Sequence, residues 1–169
     1  MEAIRKLVHL LSFIVYFLIG IYALVLLPYL FNYTPLVVLS GSMETTLMTG
    51  SIIYYKEVEK DELEVGDIIT YRVDDLVVTH RINEIKDGKF VTKGDANNIV
   101  DPIIIDYKDV LGVVGDFSVP YLGYYVRFIN ENLYILIFVV LILLSEFFLG
   151  EEKTFDINKK KKGVESNEK

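Results

Sequence analysis

Residues 7–31 run for 25 positions without a carboxylate, a lysine or an arginine. A helix over that stretch is long enough to cross about 30 Å of hydrocarbon, and an apolar face all round it leaves no side for water. The segment predicts a transmembrane helix preceded by a short N-terminal stretch, residues 1–6. Arg5 and Lys6 also suit the start of a cleavable leader, but a leader carries roughly 7–15 apolar residues and ends on small ones. Pro28, Tyr29, Leu30 and Phe31 close this run instead.

A second apolar run, residues 133–149, offers 17 positions interrupted by Ser145 and Glu146. That length is near the lower limit for a span, and Glu146 then belongs near the interface, because a carboxylate is expensive at the bilayer centre. The run reads either as a second transmembrane helix or as a buried helix of the middle region. Arg5 and Lys6 flank the first run, and Lys153 with the lysines at 159–162 follows the second, whereas residues 32–132 hold 17 acidic and 9 basic side chains. Basic flanks stay in the cytoplasm. The expectation is a cell-membrane protein with two spans, an extracytoplasmic domain at 32–132 and both termini cytoplasmic. The Lys-rich tail, residues 150–169, reads as solvated chain, able to touch anionic lipid headgroups.

The acidic middle argues against a nucleic-acid partner, since that affinity comes mostly from Lys and Arg on phosphate. With no cysteine in the chain, disulfides, thiolate nucleophiles and Cys-based metal sites are excluded. The middle region holds one histidine, too few for a metal centre, and no Gly-rich phosphate loop, so no cofactor or metal is expected.

Within residues 32–132 short runs rich in β-branched and aromatic residues occupy 51–56, 67–73, 76–82, 89–93 and 110–114. Asp74-Asp75 fits a tight hairpin and Asp87-Gly88 a type I′ turn. The fold class expected is a membrane-anchored, mainly β protein: a small antiparallel β-barrel or pair of packed sheets between two transmembrane helices. Residues 117–128, with Tyr121, Tyr124 and Tyr125, suit either headgroup contact or core packing.

Ser42 lies between the first apolar run and the first strand. A serine hydroxyl becomes a useful nucleophile only beside a base that is neutral near pH 7, and histidine meets that need without tuning. His9 falls inside the first apolar helix, which leaves His80. By strand alternation His80 shares a face with Leu76 and Val78, an odd place for a polar ring unless that face opens into a cleft. A carboxylate to hold the imidazole is available from Asp95 or Asp101, in the loop-like segment after residue 93. A lysine base, Lys93 or Lys56, is the rival chemistry, but Lys93 sits beside Asp95, which favours its charged form.

Ser40-Gly41-Ser42-Met43-Glu44 with Leu47 and Gly50, then Gly66-Asp67-Ile68-Ile69, then Thr79-His80-Arg81-Ile82, then Lys93-Gly94-Asp95 with Asn97 and Asp101, resemble in order the boxes of type I signal peptidases. The likeness is to the archaeal branch and to the catalytic subunits of the eukaryotic signal peptidase complex. The resemblance implies a membrane-bound serine endopeptidase with Ser42 as nucleophile, His80 as base in place of the bacterial lysine and Asp101 as the orienting acid. Asp95 would be a second important acid, structural or bonded to the base. Ser40 would assist the Ser42 N–H in stabilising an oxyanion, a contribution of about 3 kcal/mol per donor. It also implies a β-rich fold with a membrane-facing cleft. The implied partners are the signal peptides of exported preproteins, membrane lipid and the translocation channel. The chain departs from the family pattern at Thr45, where proline is usual, and at Ser51, where aspartate is common. A non-catalytic β domain acting as an assembly or binding subunit is the reading from another class, and Thr45 is its support.

Overall fold

The computed structural model describes residues 2–132, 134–135 and 137–146. The Lys-rich tail expected at 150–169, and the last positions of the second apolar run, lie outside them. The chain divides into two compact units, residues 1–22 with 131–169, and residues 23–130.

The first apolar run is helical as its composition requires, with residues 7–22 in the first unit and 23–31 in the second. Helix α1 (Glu2–Leu26) passes into a 3₁₀ turn at Leu27–Phe31, and the most apolar window of this segment has a mean hydropathy of 2.7. Among the described residues it is the one helix long and apolar enough to cross a membrane. Pro28 lacks the N–H that another α-turn needs. The chain tightens there and stops at Asn32, whose left-handed φ of 63° lets its N–H reach Tyr29 O at 3.1 Å. Of the second apolar run, which belongs to the first unit, the described residues Ile137–Glu146 form an apolar helix. His9 Nδ1 and Glu146 Oε1 lie 3.0 Å apart in this unit.

The second unit is built on seven antiparallel strands: β1 (Thr34–Val37), β2 (Ile52–Lys56), β3 (Ile68–Val73), β4 (Leu76–Lys86), β5 (Lys89–Lys93), β6 (Ile104–Ile105) and β7 (Val110–Val119). Helix α2 (Leu122–Glu131) follows. The spatial order is β1-β2-β7-β3-β4-β5-β6, a single open sheet, so the closed barrel and the pair of packed sheets expected from the sequence are both corrected. The edge strands have four and two residues, and Pro35 removes a donor from β1. Edges so short cannot supply a closing ladder. The two hairpins form where the turn residues place them: Asp74 takes φ 52°, and Asp87 and Gly88 take φ 51° and 72°, the double positive φ of a type I′ turn.

One face of β3, β4 and β5 carries Ile69, Tyr71, Ile82 and Phe90, which with Leu63 and Ile105 form the main core cluster. A second cluster gathers Met43, Leu47, Ile53 and Val114. The third joins Val25 to Ile52 and Tyr54, with Leu122 and Val126 of α2 packed on it, and Tyr54 OH donates to Val25 O at 3.2 Å. Of the stretch 117–128, the beginning completes β7 and the rest forms α2, so part of it packs in the core, whereas Phe117, Tyr121, Tyr124 and Phe128 stay exposed.

Candidate active site

The turn bearing Ser42 is fixed from within. Met43 is buried and roots it in the second cluster. Glu44 N–H donates to Gly41 O at 3.1 Å and Leu47 N–H to Met43 O at 2.9 Å, while Thr49 Oγ1 donates to the Glu44 carboxylate at 2.7 Å. The Glu44–Thr45 peptide bond is cis. From outside, the loop after β5 closes on the same turn: Ala96 N–H donates to Ser42 O at 2.8 Å. Gly94 makes this approach possible. A Cβ there would stand 2.6 Å from Ser42 O and 3.0 Å from His80 Nε2, so a side chain would separate the loop from the turn.

His80 lies on β4 opposite Ile69 of β3, on the core face, and the residue is 8% exposed. Its Nε2 is 2.9 Å from Ser42 Oγ and its Nδ1 is 2.6 Å from Asp101 Oδ2. An ionised carboxylate has no proton to give, so Nδ1–H donates to Asp101 and Nε2 is left to accept from the serine hydroxyl. Asp101 is placed by its own backbone, with N–H on Thr92 O at 2.8 Å, and its Oδ2 also accepts from Thr92 Oγ1 at 2.7 Å and Tyr71 OH at 3.2 Å. Ser40 Oγ is 3.3 Å from Ser42 Oγ. Serine, imidazole and carboxylate thus form one hydrogen-bonded series, an arrangement able to draw a proton from a hydroxyl while it attacks a carbonyl.

The structure separates the two aspartates that the sequence left open. Strand alternation turns Arg81 to the face opposite His80, and Asp95 goes with Arg81. Asp95 Oδ1 accepts from Arg81 Nε at 2.9 Å and Oδ2 from Arg81 Nη2 at 2.6 Å, while Thr46 Oγ1 donates to Oδ2 at 2.6 Å. Arg81 Nη1 also donates to Gly66 O at 2.7 Å. A two-pronged ion pair therefore clamps the Ser42 turn, through Thr46, to the strand that carries His80. Arg81 and Thr46 had no assigned role in the sequence. The pairing of an arginine next to the candidate base with an aspartate next to Gly94 was the available signal.

The Arg81 guanidinium, helped by Thr46 and opposed by burial, holds the Asp95 carboxyl below its ordinary value. A lowered folded-state value means that Asp95 stabilises the fold above its unfolded value of about 3.9, and that this contribution is lost as pH falls through the folded value. Asp95→Asn is expected to be less stable than the wild type by about 2 kcal/mol at pH 7. The difference should narrow in acid, and thermal unfolding in detergent at pH 7 and at about pH 3 reads both. A difference that does not change with pH would remove the charge from the explanation.

Of the two lysines considered as bases, Lys56 Nζ stands 5.8 Å above the ring of Tyr33, and Lys93 pairs across strands with Arg81, on the face away from His80. Beside Ser42 a cavity of about 570 Å³ opens between β1 and the start of β4, lined among others by Leu36, Val38, Ile53, Val78 and His80. A second cavity, of about 560 Å³, is lined among others by Glu44, Thr45, Arg81, Gly94 and Asp95.

The sequence pattern of the family described as "Signal peptidase, peptidase S26" matches residues 10–116. The chain is similar to signal peptidase I W of Bacillus subtilis (strain 168), 42% identical over 99 residues, covering 55% of this chain and 52% of that protein. It is 31% identical over 109 residues to the human signal peptidase complex catalytic subunit SEC11C, covering 56% of each. With the signal peptidase complex catalytic subunit SEC11 of Eremothecium gossypii it shares 34% identity over 138 residues, 72% of this chain and 81% of that protein. The chain spans about half the length of the Bacillus and human relatives.

Proposed function

The chain belongs to the signal peptidase family, peptidase S26, and from that we propose that it is a membrane-bound serine endopeptidase that removes N-terminal signal peptides from exported preproteins. The observation that carries this reading is the series Ser42 Oγ, His80, Asp101, with its two distances of 2.9 and 2.6 Å. Ser42 Oγ attacks the scissile carbonyl while its proton passes to His80 Nε2. Asp101 keeps the second ring proton on Nδ1 and stabilises the imidazolium. The oxyanion is met by the Ser42 N–H and the Ser40 hydroxyl. His80 then gives its proton to the leaving amine, which departs as the new N-terminus. Water, deprotonated by His80, attacks the acyl-serine and frees the signal peptide as a carboxylate, returning the proton to Ser42.

The substrate lies extended in the apolar cavity between β1 and β4, where the β1 edge offers main-chain hydrogen bonds and the cavity takes the side chains before the cut. The second cavity takes the residues that follow it. Holding the domain at the bilayer surface supplies proximity, because the substrate is anchored there by its own apolar segment. Lipid and the translocation channel are the expected neighbours. The test is sequencing of the product after incubating the full chain with a preprotein in lipid vesicles. One new N-terminus just after the apolar segment is expected; scattered cuts, or none by a folded chain, would end the reading.

The topology proposed is two spans, 7–31 and 133–149, with an extracytoplasmic peptidase domain at 32–132 and the Lys-rich tail, 150–169, in the cytoplasm. The 3.0 Å approach of His9 to Glu146 supports it. His9 is near the start of the first run and Glu146 near the end of the second, so two antiparallel helices bring the polar groups to the same leaflet, where His9 Nδ1 meets one carboxylate oxygen of Glu146. Tags fused to the two termini should both resist protease added outside spheroplasts and both be digested after lysis. Digestion of the C-terminal tag from outside would remove the second span.

A further inference from the structure

The core beneath Asp101 contains two hydroxyls that packing does not require. Tyr71 is 2% exposed and Thr92 is fully buried; Tyr71 belongs to the apolar cluster with Ile69, Ile82 and Phe90, where phenylalanine fills the same space. Both hydroxyls point at one oxygen. Asp101 Oδ2 has Thr92 Oγ1 at 2.7 Å and Tyr71 OH at 3.2 Å, besides His80 Nδ1 at 2.6 Å, and Tyr71 OH is 2.9 Å from Thr92 Oγ1. Two hydroxyls carry two protons. Thr92 gives its proton to Oδ2, and the Tyr71 proton is shared between Thr92 Oγ1 and Oδ2, so both serve the carboxylate directly or through one relay.

We propose that Tyr71 and Thr92 are positioning residues, which hold the Asp101 carboxylate turned so that Oδ2 faces His80 Nδ1. The inference rests on the peptidase reading above. An aspartate on a loop has freedom in χ1 and χ2, and two donors based on β3 and β5 remove it, because those strands flank β4, which carries His80. The Tyr71 ring also stands edge-on to the imidazole, with centroids 6.5 Å apart and planes at 70°, so it walls one side of the base. Burial, reinforced by the nearby Asp101 charge, pushes the Tyr71 hydroxyl above its ordinary value. It therefore remains a donor at neutral pH.

The experiment uses the full chain in detergent, with Tyr71→Phe and Thr92→Val made singly in the wild type and in an Asp101→Ala background. In the wild type each should lower kcat by about tenfold with KM unchanged, the effect of one hydrogen bond to a charged group. In the Asp101→Ala background neither should lower it further, and Thr92→Ser should recover most of what Thr92→Val loses. A structural role predicts equal losses in both backgrounds, and that result, or no loss at all, overturns the proposal. The low-field proton resonance of His80 Nδ1–H supplies a reading that needs no turnover: Tyr71→Phe should move it. If the folded wild type cuts no preprotein, the peptidase reading fails, and this resonance alone decides the positioning. A resonance unmoved by Tyr71→Phe overturns it.

Discussion

The His80→Ala protein should lose roughly 10⁴-fold or more in kcat for preprotein cleavage, and combining it with Ser42→Ala should lose no more than the worse single variant. A serine hydroxyl needs its proton removed as it attacks. Once either partner is gone, the other has nothing to act on. What remains is the contribution of oxyanion donors and binding, which persists in all three variants. The same experiment judges the lysine alternative. Lys93 shares a face with Arg81 rather than with His80, so Lys93→Ala should leave most of the rate. Activity that survives His80→Ala and vanishes with Lys93→Ala would reverse the assignment.

Gly94→Ala should lower kcat/KM by about 10²-fold, although the residue contributes no reacting atom. The added methyl meets Ser42 O at 2.6 Å and His80 Nε2 at 3.0 Å, and the carbonyl is backbone, which cannot swing aside as a side-chain tip can. Either the Ser42 turn or the loop at residues 94–97 must retreat, breaking the bond from Ala96 N–H to Ser42 O. A shift on the order of 1 Å between reacting groups is enough for a loss of that size. Gly20→Ala is the control, because a Cβ at Gly20 meets nothing within 4 Å. Steady-state cleavage with circular dichroism on each variant checks the result, and a Gly94→Ala enzyme of wild-type rate would show that the loop is not pressed against the turn.

The parts legible in the sequence are those set by local chemistry. The apolar run at 7–31 needed only its length, and the hairpin at Asp87-Gly88 only the φ demands of its residues. Strand β5 falls where alternation and turn signals place it, and His80 shares with Leu76 and Val78 the face that alternation assigned, where a cavity opens. Strands β1 and β6 were not visible, because four and two residues, one of them a proline, carry no period of their own and pair only because a neighbour is there. Helix α2 was hidden by Gly123 and its tyrosines; it forms because Leu122 and Val126 find Ile52 and Tyr54. Sheet closure was misjudged for a related reason, since edge pairing depends on three-dimensional reach and not on strand pattern. At the site, residue types and order pointed to Ser42, His80 and two aspartates. Which aspartate meets the imidazole depends on which side of β4 each loop residue reaches, and that is decided by the Arg81 clamp and the Thr92 backbone contact.

Whether Ser42, drawn on by His80, cuts preproteins at the membrane is read from the rate of preprotein cleavage by equal amounts of folded wild type and Ser42→Ala in the same lipid vesicles. The wild type should cleave, and Ser42→Ala should do so at a rate lower by roughly 10⁴-fold or more. Cleavage by Ser42→Ala at the wild-type rate would mean that Ser42 is not the nucleophile.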